Sequence, residues 1–364
     1  MARIVTVYNN WNVKFAPVDM GYIRWLAIST ALAERGHEVD MAAPPKALNH
    51  RWWQRPTPVQ MGPRLRRVLL AGVRWNDYDV VKTLYHEGFD SLERFGGGDH
   101  PFIIAHLGSV VGPEDMEGIY FYGAVRAKLY TTQEKVCRKS KYITVVSAPA
   151  KDLFETYCGP KGNVFVVPGA AEQNIPERGK DPFPSNGQRR CIFAGHVYDQ
   201  SSQPEANAVL ISKLNELGRN LSQLNIRLYM LGSGDVKQLD REHVTYLGAV
   251  PYAQTWNYFY FAHVGTVVAY GAHLHNNETT KVYYYLRAGL PVVSERGFPN
   301  DNVVEQSGLG FTVENGNMGL MAEKIAEAAV KDWDREKAVR HAIENHTWYQ
   351  RTALHDRLIR QHFG

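Results

Sequence analysis

The chain has 364 residues, 44% hydrophobic and 12% aromatic, enough apolar mass for more than one core, so two domains are expected. Its formal charge of +4 is too small to call for nucleic acid and leaves anionic substrates or an anionic surface open. Cys137, Cys158 and Cys191 lack C-x-x-C spacing, which argues against a zinc or disulfide framework, and no stretch approaches the roughly 20 apolar residues of a spanning helix. With no leader-like start either, a cytoplasmic location is expected.

Strands and helices alternate along the chain. Arg3-Ile4-Val5-Thr6-Val7-Tyr8 is a β-branched run, a loop passes through Asp19-Met20-Gly21, and residues 22–34 have helical apolar spacing before Gly36-His37-Glu38-Val39-Asp40-Met41 turns extended again. Residues 50–75 mix arginine with tryptophan and aliphatics, as in Arg51-Trp52-Trp53-Gln54-Arg55 and Arg64-Leu65-Arg66-Arg67-Val68-Leu69. That is the make-up of an interfacial membrane surface. The plainer reading is a helix burying Leu65 and Leu69 with its arginines in solvent.

Val80-Val81-Lys82-Thr83-Leu84, Phe102-Ile103-Ile104-Ala105, Tyr142-Ile143-Thr144-Val145-Val146 and Val164-Phe165-Val166-Val167 read as strands of a parallel sheet covered on both faces. Residues 173–190, rich in Pro, Gly, Asn and charge, read as a linker. A second series follows: Cys191-Ile192-Phe193-Ala194, a helix over about 205–217, Ile226-Arg227-Leu228-Tyr229-Met230-Leu231, Val244-Thr245-Tyr246-Leu247 and Val264-Gly265-Thr266-Val267-Val268. The expected organisation is α/β, with a Rossmann-like domain over 1–172, the linker over 173–190, a second Rossmann-like domain over 191–345 and a terminal helix over 346–364.

The most informative stretch is Thr279-Thr280-Lys281-Val282-Tyr283-Tyr284-Tyr285-Leu286-Arg287-Ala288-Gly289-Leu290-Pro291-Val292-Val293. Val282, Leu286 and Ala288 suit a core-facing stripe, while Thr280 and Lys281 fall in a first helical turn, where free N–H groups and the dipole favour an anion. Gly289 ends the helix and Pro291 opens a buried strand.

In wording and placement this stretch resembles the nucleotide-sugar site of glycosyltransferases with the two-domain GT-B fold, particularly the family 4-like group, whose version reads K-x-x-E-Y-x-A-x-G-x-P-V-V. Further motifs are similar in the same order. They are Gly36-His37-Glu38-Val39, Val166-Val167-Pro168-Gly169-Ala170, Ile192-Phe193-Ala194-Gly195-His196, Leu228-Tyr229-Met230-Leu231-Gly232-Ser233-Gly234, Tyr246-Leu247-Gly248-Ala249-Val250 and Gly308-Leu309-Gly310-Phe311-Thr312-Val313. The resemblance implies two Rossmann-like domains facing across a cleft, the C-terminal helix crossing back to the first. It also implies an enzyme moving a sugar from a nucleotide-diphosphate sugar, its donor substrate, to a glycan, lipid-linked or small-molecule acceptor. No other cofactor is expected.

Donor contacts are expected from Gly195, His196, Gly232, Asn276, Glu278, Thr279, Thr280 and Lys281. Two departures qualify the resemblance. Aligned on Gly289, Asn276 and Tyr284 stand where the family's two glutamates would be, so its retaining stereochemistry does not carry over; Glu278 lies close by as a substitute. His196 replaces the usual Arg, leaving Lys281 as the main phosphate-binding cation, a pattern similar to inverting glucuronosyltransferases of bacterial exopolysaccharide synthesis.

Glycosyl transfer needs a proton acceptor, expected from the first domain. His106 follows the strand over 102–105 at its carboxyl end, where open α/β sheets bind ligands. Asp19 and Asp115 are rival bases, each with the plainer reading of a turn or cap acid. Asp77-Tyr78-Asp79 opens a strand, away from the ligand edge, so a metal-independent reaction is preferred. A lipid-linked acceptor would bring the enzyme to the inner face of a membrane, with contact through residues 50–75. The alternatives are a non-hydrolysing sugar-nucleotide epimerase and an inactive nucleotide-sugar-binding protein.

Overall fold

A computed structural model describes residues 1–8, 20–44, 57–113, 123–201, 203–270 and 278–364. They form two compact units, one built from the described residues up to Pro168 together with Trp348–Gly364, the other from Gly169–Thr347. Among the described residues no helix is long and apolar enough to cross a membrane.

The first unit has strands β1 (Arg3–Val7), β2 (Glu38–Ala43), β3 (Val59–Gly62), β4 (Leu65–Leu69), β5 (Val80–Leu84), β6 (Ile103–Leu107), β7 (Tyr142–Val145) and β8 (Val164–Val166), in the order β3-β4-β2-β1-β5-β6-β7-β8. Only β3 runs antiparallel to its neighbour. Helices α1 (Met20–Glu34), α2 (Tyr85–Arg94), α3 (Gly123–Lys139) and α4 (Ala148–Cys158) connect them. Every residue of β5 and of β6 is buried, as a parallel sheet covered on both faces requires. Val5, Val81, Phe89, Ile103, Ile143 and Phe154 make its core. Gly36, at φ +97°, takes the left-handed conformation that ends α1 and turns the chain into β2.

Residues 65–69 form a strand and not a helix, followed by short 3-10 turns at Leu70–Gly72 and Trp75–Asp77. The i, i+4 spacing of Leu65 and Leu69 fits a helical stripe, but here they begin and end β4. Arg66 stands opposite Asp40 of β2 and forks both carboxylate oxygens, at 2.8 and 2.7 Å, and this cross-strand pair fixes the register. Trp75 is buried in the core with its indole N–H on the Phe95 carbonyl, 2.7 Å away, so it is no interfacial anchor. Trp52 and Trp53 lie outside the described residues.

The second unit is a wholly parallel sheet: β9 (Arg189–Ala194), β10 (Ile226–Leu231), β11 (Val244–Gly248), β12 (Val264–Val267), β13 (Val292–Glu295) and β14 (Gly310–Val313), ordered β11-β10-β9-β12-β13-β14. Its helices are α5 (Pro204–Gln223), α6 (Tyr252–Phe261), α7 (Lys281–Arg287), α8 (Asn302–Ser307), α9 (Met318–Val330) and α10 (Arg335–Asn345). One core cluster joins α5 and α9 through Leu210, Leu214, Leu217, Met321 and Ile325. Residues 173–190 pack within this unit: Phe183 is buried edge-on to Tyr229 and Tyr258 at 4.8 and 5.2 Å, and Arg190 pairs with Asp181 at 2.7 Å.

The last helix, α11 (Trp348–Phe363), follows the second unit in sequence but packs on α1 of the first. Arg35 donates to Thr352 at 3.1 Å, and the buried His37 bonds Asp356 at 2.8 Å.

Candidate functional site

In the second sheet β9 pairs with both β10 and β12, so the order of strands reverses there. Open parallel sheets bind ligands outside the carboxyl ends of strands at such a switch point. The segments leaving β9 and β10 are glycine loops laced backbone to backbone. Gly195 N–H donates to the Leu231 carbonyl at 2.8 Å, Val197 N–H to Ser233 at 2.9 Å, and Gly232 N–H to Gly248 at 2.9 Å. Gly232 and Gly234 have φ of +141° and +134°, and a Cβ on either would overlap the carbonyl of Gly195 or Val197. Only glycine allows both the conformation and the approach.

Lys281 opens α7 and reaches back over this floor. A Cβ on Gly195 would lie 2.8 Å from Lys281 Cε, and the ammonium stands 5.2 Å from the centroid of the Phe193 ring. Desolvation pulls its pKa down to about 8. No carboxylate pairs with it among the described residues. His196 lies at the surface with Nδ1 3.2 Å from the Ser233 hydroxyl; partial burial of the ring lowers its pKa, and the Lys281 charge pushes the same way. The expected group Gly195, His196, Gly232 and Lys281 therefore comes together at one strand edge.

The segment before Lys281 is more structural. Glu278 accepts from Gly169 N–H and, at 3.1 Å, from the Tyr283 hydroxyl. Thr279 is bracketed by Asn300, which accepts its N–H at 3.1 Å and donates to its carbonyl at 2.9 Å. Among the described residues the Thr279 hydroxyl is buried without a hydrogen-bond partner, and Thr280 precedes α7 without capping it by its side chain. Asn276 lies outside the described residues.

Sequence reasoning missed Glu172. Its Oε1 accepts from Tyr252 at 2.6 Å and from Tyr284 at 3.3 Å, and burial raises its pKa. Tyr284, the residue standing in for a family glutamate, thus meets a carboxylate supplied from the start of this unit. The contact spans 112 residues, and only the position of Glu172 just after Pro168-Gly169 hinted at it. Glu295, fully buried at the end of β13, is already satisfied by Lys213 at 2.8 Å and by Gly316 N–H at 2.7 Å. Among the described residues, one group of potential metal ligands gathers, Asp240, Glu242 and His243; Asp240 there already bonds His243 at 2.9 Å and pairs with Arg219 at 3.4 Å.

In the first unit His106 lies inside β6 rather than beyond it, because the strand extends two residues past Ala105. Its register partner Thr144 on β7 holds Nδ1 at 3.0 Å, while Nε2 is buried without a partner among the described residues. Burial drives its pKa well below 6.5, and Lys82, Arg24 and His355 add positive charge against the imidazolium. At the end of β5, Tyr85 takes φ +60°, a left-handed conformation rare for an aromatic residue, and its hydroxyl accepts from Arg24 at 2.6 Å. Asp19 and Asp115 lie outside the described residues.

Residues 212–332 match the family model described as glucosyltransferase 3-like, C-terminal domain. No curated protein matches the chain. Among solved structures, sucrose-phosphate synthase from Thermosynechococcus elongatus aligns at 13% identity over 99% of each chain, with a TM-score of 0.70. HepE from Anabaena, in complex with UDP, aligns at 12% identity over 99% of this chain and 100% of its own, with a TM-score of 0.66. WaaG, a glycosyltransferase involved in lipopolysaccharide biosynthesis, aligns at 13% identity over 98% of this chain and 99% of its own, with a TM-score of 0.62. The expected two-unit GT-B fold is the observed one, and the matched glucosyltransferase domain spans the Lys281 site.

Proposed function

We propose that the second unit binds the diphosphate of a nucleotide sugar through Lys281 and the Gly195 and Gly232 loops, and that the first unit presents the acceptor. The observation that carries this reading is the Lys281 ammonium. It sits part-buried on a glycine floor at the switch point, with no carboxylate paired to it among the described residues. A desolvated ammonium gains most from an incoming multiply charged anion. His196 and Ser233 line the same edge.

In the transfer the acceptor oxygen bonds to the sugar's anomeric carbon, the bond from that carbon to the diphosphate breaks, and the electron pair leaves with the diphosphate. Lys281 stabilises that growing charge. The acceptor's proton passes to a base of the first unit. The three candidates are His106, Asp19 and Asp115. The positive surroundings of His106 oppose the imidazolium it would become, which favours a carboxylate. Glu278 accepts from Gly169 with one carboxylate oxygen and from Tyr283 with the other.

The UDP in the HepE complex makes uridine nucleotides the first donors to test. A lipid-linked acceptor would place the enzyme at the inner face of a membrane. The described part of residues 50–75 offers little for this, since Arg64 and Arg74 face Glu38 and Asp77 at 3.7 and 3.2 Å. A thermal-shift panel of nucleoside diphosphates and nucleotide sugars tests the donor reading. The parent is expected to be stabilised by one nucleotide class, and Lys281→Ala to lose that response; equal stabilisation of both would refute the assignment.

A further inference from the structure

The helical turn that carries Lys281 also grips the chain where it passes between the two units. Among the described residues the passages are Pro168–Gly169 and Thr347–Trp348. Just inside the second unit the two strands of chain meet: Ala171 N–H donates to the His346 carbonyl at 3.0 Å, and Ala171 bridges Thr347 in parallel. Glu278 holds Gly169 N–H with one carboxylate oxygen and the Tyr283 hydroxyl, 3.1 Å away, with the other. The Tyr283 ring lies over that of His346, with centroids 5.3 Å apart and planes at 33°.

Little slack exists in this arrangement. A Cβ on Gly169 would come to 3.2 Å from Glu278, Thr280 and Tyr283 alike, and Tyr283 is 1% exposed. Lys281 falls between Thr280 and Tyr283, so the residues flanking the cation in sequence touch the first passage, and Tyr283 touches the second. A packed interior does not absorb displacement locally; a small shift of one element is handed to its neighbours.

We infer that Glu278 and Tyr283 are positioning residues that couple occupancy of the Lys281 site to both passages between the units. The inference rests on the donor reading given above. It assigns Glu278 a purpose other than contact with donor hydroxyls, and it explains why an acid stands at 278 although Asn276 and Tyr284 replace the family's pair.

Hydrogen exchange read by mass spectrometry, with UDP as the probe, tests it. In the parent, UDP is expected to slow exchange over residues 167–173 and 344–349 as well as over 278–287. In Glu278→Ala, UDP still binds, within about tenfold of the parent affinity, and protects 278–287, but the response at 167–173 and 344–349 disappears. Glu278→Gln, whose amide oxygen still accepts from Gly169 N–H, restores it. Tyr283→Phe removes one hydroxyl and leaves the ring on His346, and is expected to weaken the response at 167–173 while keeping that at 344–349. Should Glu278→Ala fail to fold, the Tyr283→Phe pattern decides alone. UDP protection at both passages that survives in the variants, or that never reaches them in the parent, overturns the coupling and leaves the donor reading standing. Failure of the parent to bind UDP or any other nucleotide overturns both.

Discussion

Among the described residues each unit holds a desolvated lysine with no carboxylate paired to it, and the two amines lead to different conclusions. Lys82 of β5 is 3% exposed, its Nζ is 3.1 Å from His355 Nε2 of α11, and burial takes its pKa to about 7. Beside it lies a cavity of about 10 Å³ lined by Thr6, Trp25, Ile28 and Leu84, room for one water. Lys281 has a milder shift, to about 8, but stands at the carboxyl edge of a parallel sheet over a floor of glycine. A desolvated amine becomes a binding site only where an anion can reach it; in the interior it is a stability cost.

The largest expected effect follows from removing the accessible amine. Lys281→Ala forfeits charge-assisted hydrogen bonds of about 1.5–3 kcal/mol each, so nucleotide affinity should fall at least about tenfold, read by calorimetry, with little change in melting temperature. Retained affinity would erase the contrast between the two lysines.

Next comes the floor. Gly232→Ala forces a side chain into the Gly195 carbonyl at a left-handed φ, and a loss of about 2 kcal/mol or more in the second unit's stability is expected from denaturant unfolding. An unchanged unfolding midpoint would mean that the loops are looser than their lacing implies.

The pH dependences of the two amines then separate. The Lys281 ammonium is charged below about 8, so nucleotide affinity should hold at lower pH and decline as pH rises through that value. For Lys82 the folded pKa of about 7 lies below the unfolded value, so the unfolded chain binds more protons between them and the stability cost, full below about 7, is relieved as pH rises. Lys82→Met should therefore raise the melting temperature more at about pH 6 than at about pH 9, leaving nucleotide affinity alone. His355 and His106, which face the same interior, titrate at lower pH and contribute below that window.

The smallest effect is expected at His106. Its enclosure in β6 predicts that His106→Asn stays within a few-fold of parent turnover while losing some stability; a collapse of kcat with normal folding would restore it as the base.

The sequence was most legible where backbone geometry leaves no alternative. Gly232 and Gly234 must be glycine because carbonyls occupy the space a side chain would need, and such constraints leave a readable spacing. Strands such as Val80–Leu84 were legible because a parallel sheet buried on both faces demands unbroken apolar runs. Residues 64–69 were misread because Leu65 and Leu69 fit a helical stripe, and only the Arg66–Asp40 pair across β2 and β4 decides for a strand. Glu172 was missed for the same kind of reason. Its partners Tyr252 and Tyr284 are 80 and 112 residues away, and no local pattern records a contact made by folding.

A crystal soaked with UDP-glucose tests the central claim most directly. The account predicts diphosphate density above Gly195, with a phosphate oxygen at about 2.7–2.9 Å from Lys281 Nζ. Density for the diphosphate anywhere out of reach of that ammonium would contradict it.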